Sequence, residues 1–139
     1  MGRDFKNLQI WQLSYQFVLD CYRLLNKLPE NEERNIKDQL RRAATSITLN
    51  IAEGCSYRSN KAFLNHLNYA YGSAKECDVL LLLCKDLKYI SYDEFHQIAA
   101  ALDKLKSFLY RFMLSVQKEI LHNQSNYSLN KDLVVQISK

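Results

Sequence analysis

The chain has 139 residues, 47% hydrophobic and 24% charged, with a formal net charge of +4. That is one domain's worth of chain with a sizeable core, and its charge is weaker than that of a dedicated nucleic-acid domain. Three glycines and one proline are too few for a β-sandwich or barrel, which needs a turn every ~8–12 residues.

The hydrophobic spacing predicts four helices. The first runs from about Leu8 to Leu28 and stops at Pro29, which disfavours helical geometry in the residue before it. Leu8, Trp11, Tyr15, Val18, Tyr22 and Leu25 make a bundle seam, and Ile10, Phe17, Cys21, Leu24 and Leu28 make a second stripe beside it. Two stripes are more than a peripheral helix of a monomer usually buries, which points to a subunit interface. The second helix is expected from about Glu32 to Glu53, with Asn31 as its N-cap and Gly54 just past its end.

A loop over Gly54–Ser59 leads to a third helix capped by Ser59, with Phe63, Leu67, Ala70, Ala74, Cys77, Leu81 and Cys84 in a three-four rhythm. Gly72 costs about 1 kcal/mol in mid-helix against alanine, so a close approach of another helix is expected there. Ser91-Tyr92-Asp93-Glu94 is a capping box opening a fourth helix to about Leu121, whose seam runs Phe95, Ile98, Leu102, Leu105, Leu109, Phe112, Val116, Ile120. Short loops between long helices give an all-α, antiparallel up-down-up-down four-helix bundle. The bundle domain is expected over 1–122. Residues 123–139 read as a C-terminal tail, polar and loop-like over Asn123–Asn130 with a short β-branched run over Leu133–Ile137, either flexible or an arm that docks on a neighbour.

Cys21, Cys77 and Cys84 fall on apolar stripes, and no CxxC spacing occurs. Buried thiols in a reducing, cytoplasmic setting are the expectation. The longest apolar run, Val79 to Cys84, is too short to cross a membrane.

Two clusters stand out. On the second helix Gln39, Arg42, Ser46, Asn50 and Glu53 share a face, opposite which the third helix offers His66, Tyr69, Ser73 and Glu76. A structural polar layer of Ser46, Asn50, Glu53, Ser73 and Glu76 is the first reading of it, since such layers fix register; a ligand or partner site is the second. The other cluster is basic: Arg34, Lys37, Arg41, Arg42, Arg58 and Lys61 outnumber Glu32, Glu33, Asp38 and Glu53 over residues 31–62. Arginine forks bind phosphates, so these six are the candidate nucleic-acid-binding residues; the competing reading is a solvated, salt-bridged face. No catalytic or metal constellation appears. A di-iron bundle needs two Glu-x-x-His motifs, and the one match, Glu119 to His122, falls at a helix end. No enzyme activity and no cofactor are expected.

Phe5…Leu8…Trp11, Leu28-Pro29…Glu33, Gln39-Leu40-Arg41-Arg42-Ala43, Ser46-Ile47…Asn50-Ile51-Ala52-Glu53-Gly54, Arg58-Ser59…Phe63 and Gly72-Ser73…Glu76 together carry a resemblance. The chain resembles, over about residues 5–121, the four-helix-bundle proteins encoded in intervening sequences of bacterial 23S ribosomal RNA genes, often labelled S23 ribosomal protein-like. The resemblance implies a bacterial, ring-shaped homopentamer with no known enzymatic activity. It also implies distant kinship with accessory variability proteins of diversity-generating retroelements, which bind a reverse transcriptase and nucleic acid through a basic surface. Carried over, the family's hallmark positions are Arg41, Arg42, Ser46, Asn50, Glu53, Gly54, Ser73 and Glu76. The chain departs from the pattern at Cys55-Ser56-Tyr57, in place of a short glycine- and arginine-containing turn, and at Ala62, where an acidic residue would complete a capping box. The expected function is a non-enzymatic oligomeric scaffold, a pentamer, associating with RNA or an RNA-processing protein through the basic face. The alternative is a protein-binding adaptor without nucleic-acid contact.

Overall fold

A computed structural model describes residues 3–138. Among them the chain forms four α-helices, α1 (Gln9–Leu25), α2 (Ile36–Gly54), α3 (Asn60–Asp86) and α4 (Tyr92–Ile137), with short 3-10 turns at Phe5–Asn7 and Glu30–Glu32. Each helix packs on its sequence neighbours and α4 closes onto α1, the all-α four-helix bundle expected from the pattern. The core is built from Phe17, Leu40, Ile47, Ile51, Phe63, Leu67, Leu81, Leu102, Leu105 and Leu109, all fully buried. Cys21, Cys55, Cys77 and Cys84 are unpaired and buried. Burial pushes the Cys84 thiol up to about 11 and the Cys77 thiol up to about 12, so these are protonated, inert core side chains.

The two stripes of α1 divide differently from the expectation, and Val18 and Leu25 of the expected seam are buried along with the second stripe. Ile10, Phe17, Cys21, Leu24 and Leu28 face the core, whereas Tyr15 and Tyr22 of the expected seam are about half exposed. Tyrosines keep their hydroxyls wet more cheaply than Phe17 or Leu24 could expose their bodies.

Helix α2 starts later than expected. Pro29 begins a tight turn in which Glu32 N–H bonds to the Pro29 carbonyl and Glu33 N–H to the Glu30 carbonyl, both at 3.0 Å. Asn31 therefore caps nothing; Asn35 holds the cap position without a side-chain bond, and the Glu32 carboxylate instead accepts from Ile36 N–H at 3.3 Å. Tyr89 donates to the same carboxylate at 3.1 Å, which fixes the turn to the α3–α4 connection.

Two glycines also differ from expectation. Gly54 is the last residue of α2 and has no left-handed φ. A Cβ there would lie 2.9 Å from His66 Cβ and 2.9 Å from the Phe63 ring, so the residue lets the first turns of α3 cross close to α2. At Gly72 a Cβ would meet nothing within 4 Å; no helix of the same chain accounts for it. The left-handed residue is Lys88 (φ 63°), just past α3, where Tyr89 N–H reaches the Cys84 carbonyl at 2.9 Å and Lys88 N–H the Lys85 carbonyl at 3.0 Å in a Schellman arrangement.

Ser91 caps α4 in the expected box: Glu94 N–H donates to Ser91 Oγ at 3.1 Å and Ser91 N–H to Glu94 Oε1 at 3.0 Å. The helix does not stop near Leu121. It continues to Ile137, so Asn123–Asn130 is helical rather than a loop, and residues 121–138 are all exposed. Asparagine and serine content suggests a loop there, yet the helix runs through it, with Asn123 and Asn130 standing at positions where the α4 seam would place apolar residues.

Candidate functional site

Four side chains join across the α2–α3 contact. Ser46 and Asn50, one turn apart on α2, are bonded to each other, with Asn50 Nδ2 donating to Ser46 O at 2.9 Å and to Ser46 Oγ at 3.0 Å. From α3, Ser73 Oγ donates to Ser46 Oγ at 2.9 Å, and His66 Nδ1 lies 3.3 Å from Asn50 Oδ1. That last contact is a hydrogen bond when the imidazole carries its proton on Nδ1. His66 also stacks on Tyr57, ring centroids 5.0 Å apart, and meets Tyr69 edge-on at 6.0 Å. The seam is half-buried, with Ser73 buried. Ser46 Oγ accepts from both Asn50 and Ser73, which ties α2 to α3 as a register-fixing layer does. Glu53 and Glu76 stand apart from it: both are exposed, and neither carboxylate enters a hydrogen bond or ion pair among the described residues.

The basic candidates fall into two groups, one around the start of α2 and the other beyond its far end at Gly54, which lies about 20 Å along the helix from Arg41. In the first, Glu33 holds both Arg41 (Nη2 to Oε1, 2.6 Å) and Lys37 (Nζ to Oε2, 3.3 Å). Lys37 is buried. The Arg41 guanidinium, and after it the Lys37 ammonium, holds the Glu33 carboxyl below its ordinary range. Arg42 Nε is 3.4 Å from Asp38 Oδ2 with its side chain largely in solvent, and Arg34 is exposed. In the second group Arg58 and Lys61 are exposed and line a groove of about 700 Å³ between the α2–α3 loop and α4, with Ile120, Asn123, Gln124 and Tyr127 opposite them.

Local pattern did not reveal the anchor beneath that loop. The Arg3 guanidinium lies 4.2 Å from the Phe63 ring centroid and bonds to the Tyr57 carbonyl at 3.3 Å and to Asn60. Asn60 Nδ2 in turn donates to Glu119 Oε2 at 3.2 Å. Separations of more than 50 residues leave no periodic signal, so only the folded chain brings Arg3 to Phe63.

Chemically the seam can bind and align, but it has no nucleophile with a positioned base. Ser73 donates to another serine, and His66 faces an amide. Among the described residues no cluster of three His, Cys, Asp or Glu is placed to hold a metal ion, and no helix is long and apolar enough to cross a membrane.

Fold and seam together define a small all-α four-helix bundle with a hydrogen-bonded polar seam between α2 and α3. The chain belongs to the 23S rRNA-intervening sequence protein family, whose model matches residues 6–111. Among solved structures it is similar to the crystal structure of a protein of unknown function from the S23 ribosomal protein family of Bacteroides thetaiotaomicron. The two share 26% identity with a TM-score of 0.69, over 75% of this chain and 97% of that one. A search among curated proteins returned no match. The last turns of α4 lie beyond the family match.

Proposed function

We propose that this chain is a non-enzymatic scaffold of the cytoplasm that assembles from several copies of itself, five as the family resemblance implies, and that associates with RNA or an RNA-handling protein. The observation that carries the scaffold reading is apolar surface left on the outside of the bundle. On α1 Tyr15, Leu19 and Tyr22 are exposed at steps of four and three, and Val79 and Leu83 on α3 and Leu87 just past its end are exposed at steps of four. Val79 is 58% exposed. Stripes of this kind on two separate helices are interaction faces rather than scattered surface residues. Gly72 lies on the same side of α3 and has no neighbour within the chain, which suits close approach of a second subunit. Unpaired buried cysteines fit a reducing compartment.

RNA association draws its support from exposed Arg34, Arg42, Arg58 and Lys61, not from Lys37 and Arg41, which Glu33 already occupies. Binding to structured RNA across a salt series tests it. Affinity should fall with rising salt and weaken in Arg58→Ala/Lys61→Ala more than in Arg41→Ala. Binding at physiological salt no tighter than that of an unrelated protein would remove RNA from the proposal. The protein-binding adaptor is the second reading, favoured by the Glu33 ion pairs, and a partner captured equally well after nuclease treatment would support it.

A further inference from the structure

Beyond Ile120, its last buried residue, α4 runs on to Ile137 and forms one wall of a groove. The other wall is the α2–α3 loop with the first turn of α3. The space between them is about 700 Å³, within the about 300–1,000 Å³ typical of ligand clefts. The walls are tied together at the base. Asn60, at the start of α3, accepts from the Arg3 guanidinium and donates from Nδ2 to Glu119 Oε2 of α4 at 3.2 Å. Arg3 also holds the loop by its bond to the Tyr57 carbonyl and its place over the Phe63 ring. The groove is therefore built into the fold.

The two walls differ in chemistry. The loop wall carries the cations, Arg58 and Lys61, both exposed and neither in an ion pair among the described residues. The helix wall carries Asn123, Gln124 and Ser128, which offer donors and acceptors without charge, and Tyr127, which is 72% exposed. No carboxylate lines the groove, and the neighbouring Glu119 is bonded to Asn60. At the start of α2, by contrast, Glu33 neutralises Arg41 and Lys37, and Asp38 lies beside Arg42. The uncompensated positive charge of the basic candidates is concentrated at the groove.

We infer that this groove holds a single-stranded stretch of RNA, with backbone phosphates on Arg58 and Lys61, an unpaired base stacked on Tyr127, and base edges hydrogen-bonded by Asn123 and Gln124. Guanidinium and ammonium groups supply affinity for phosphate that is independent of sequence. An aromatic face adds stacking that any base satisfies, and amides bond to the edges that unpaired bases present. A paired stem keeps its bases stacked inside and offers Tyr127 nothing. An acidic peptide would use the two cations and leave the ring and the amides idle. The inference rests on the RNA association proposed above and names the form of the strand and the residues that take it. Lys61 and Val79 stand 18 residues apart on α3, about 27 Å, so assembly through the outer face of α3 leaves the groove open.

Fluorescence anisotropy with the full-length protein tests it, using a labelled single-stranded oligoribonucleotide of mixed sequence and the duplex of the same sequence. The single strand should bind the more tightly. Tyr127→Ala should weaken the single strand about tenfold and leave the duplex unchanged, while Tyr127→Phe keeps the ring and should bind as the wild type does. Arg58→Ala/Lys61→Ala should weaken binding and flatten its salt dependence, more than Arg34→Ala/Arg42→Ala does. All five positions are exposed, so the bundle still folds. Adenosine monophosphate should compete only at concentrations far above that of the oligonucleotide. A duplex bound as tightly as the single strand, a Tyr127→Ala variant that loses nothing, a Tyr127→Phe variant as weak as Tyr127→Ala, or an Arg34/Arg42 loss that matches the Arg58/Lys61 loss overturns the groove while RNA association stands. Competition by the mononucleotide at matching concentration overturns the strand in favour of a free nucleotide. If neither form binds more tightly than it does to an unrelated protein of similar charge, the groove and the RNA association fall together.

Discussion

Lys27, just past the end of α1, is ion-paired with Glu94, the residue whose carboxylate also completes the capping box at Ser91. One side chain thus fastens two helices while ordering the start of α4. The Lys27 ammonium, followed by the Ser91 backbone and hydroxyl bonds, lowers the Glu94 carboxyl to about 2 from its ordinary 4.5.

A carboxyl whose pKa is depressed by folding stabilises the fold above its unfolded value and loses that contribution as pH falls toward the folded value. The contribution of Glu94 is therefore whole above about pH 4.5 and fades toward pH 2. Melting curves of the protein and of Glu94→Gln should differ most near neutrality and converge between those limits. A gap that stays constant through acidification would exclude the linkage.

The two helical glycines should respond in opposite directions to alanine. Gly54→Ala drives a methyl against Phe63 and His66, which should cost on the order of 1–3 kcal/mol by overpacking. Gly72→Ala meets open space and should stabilise by about 1 kcal/mol from helix propensity. Urea denaturation at concentrations below self-association reads both; equal effects of one sign would refute the assignment.

Lys88 holds a left-handed conformation at the end of α3, which costs a side-chain-bearing residue roughly 1 kcal/mol. Replacement by glycine should recover that amount and raise the melting temperature by about 3 °C. An unchanged or lowered transition would mean that the Lys88 side chain is itself stabilising.

Ser46 and Ser73 share one hydrogen bond, so their truncations should not add. Ser46→Ala and Ser73→Ala should each destabilise by about 1 kcal/mol. The double variant should fall short of the sum by ~0.5 kcal/mol or more. Strict additivity would show that the seam is not a unit.

Much of the fold was legible because helical periodicity is local. The Ser91 box and the α3 and α4 seams rest on residues within a few positions of one another, whereas α1 ends at Leu25, three residues short of the Leu28 end expected from Pro29. Misreadings came where distant groups decide. Pro29 and Tyr89 together turn Glu30–Glu32 into a tight turn and delay α2, and the reason for Gly54 lies on α3. The Ser46–Asn50 pair and its partner Ser73 could be seen as one face, because steps of three and four align them. That Glu53 and Glu76 stand outside the seam, and that Glu33 gathers Lys37 and Arg41, depends on side-chain reach between turns, which spacing does not encode. The extension of α4 was not legible, because Asn123–Asn130 is loop-like in composition and places asparagines where the seam would be apolar, yet it is helical.

Sedimentation velocity of the full-length protein beside Val79→Glu/Leu83→Glu tests the scaffold most directly. The protein should sediment as a multimer at micromolar concentration, five copies by the family resemblance, and the variant, altered only at exposed positions, should fall to smaller species while keeping its helical content. A wild-type protein that sediments as a monomer, or a multimer untouched by those substitutions, would contradict assembly through the outer face of α3.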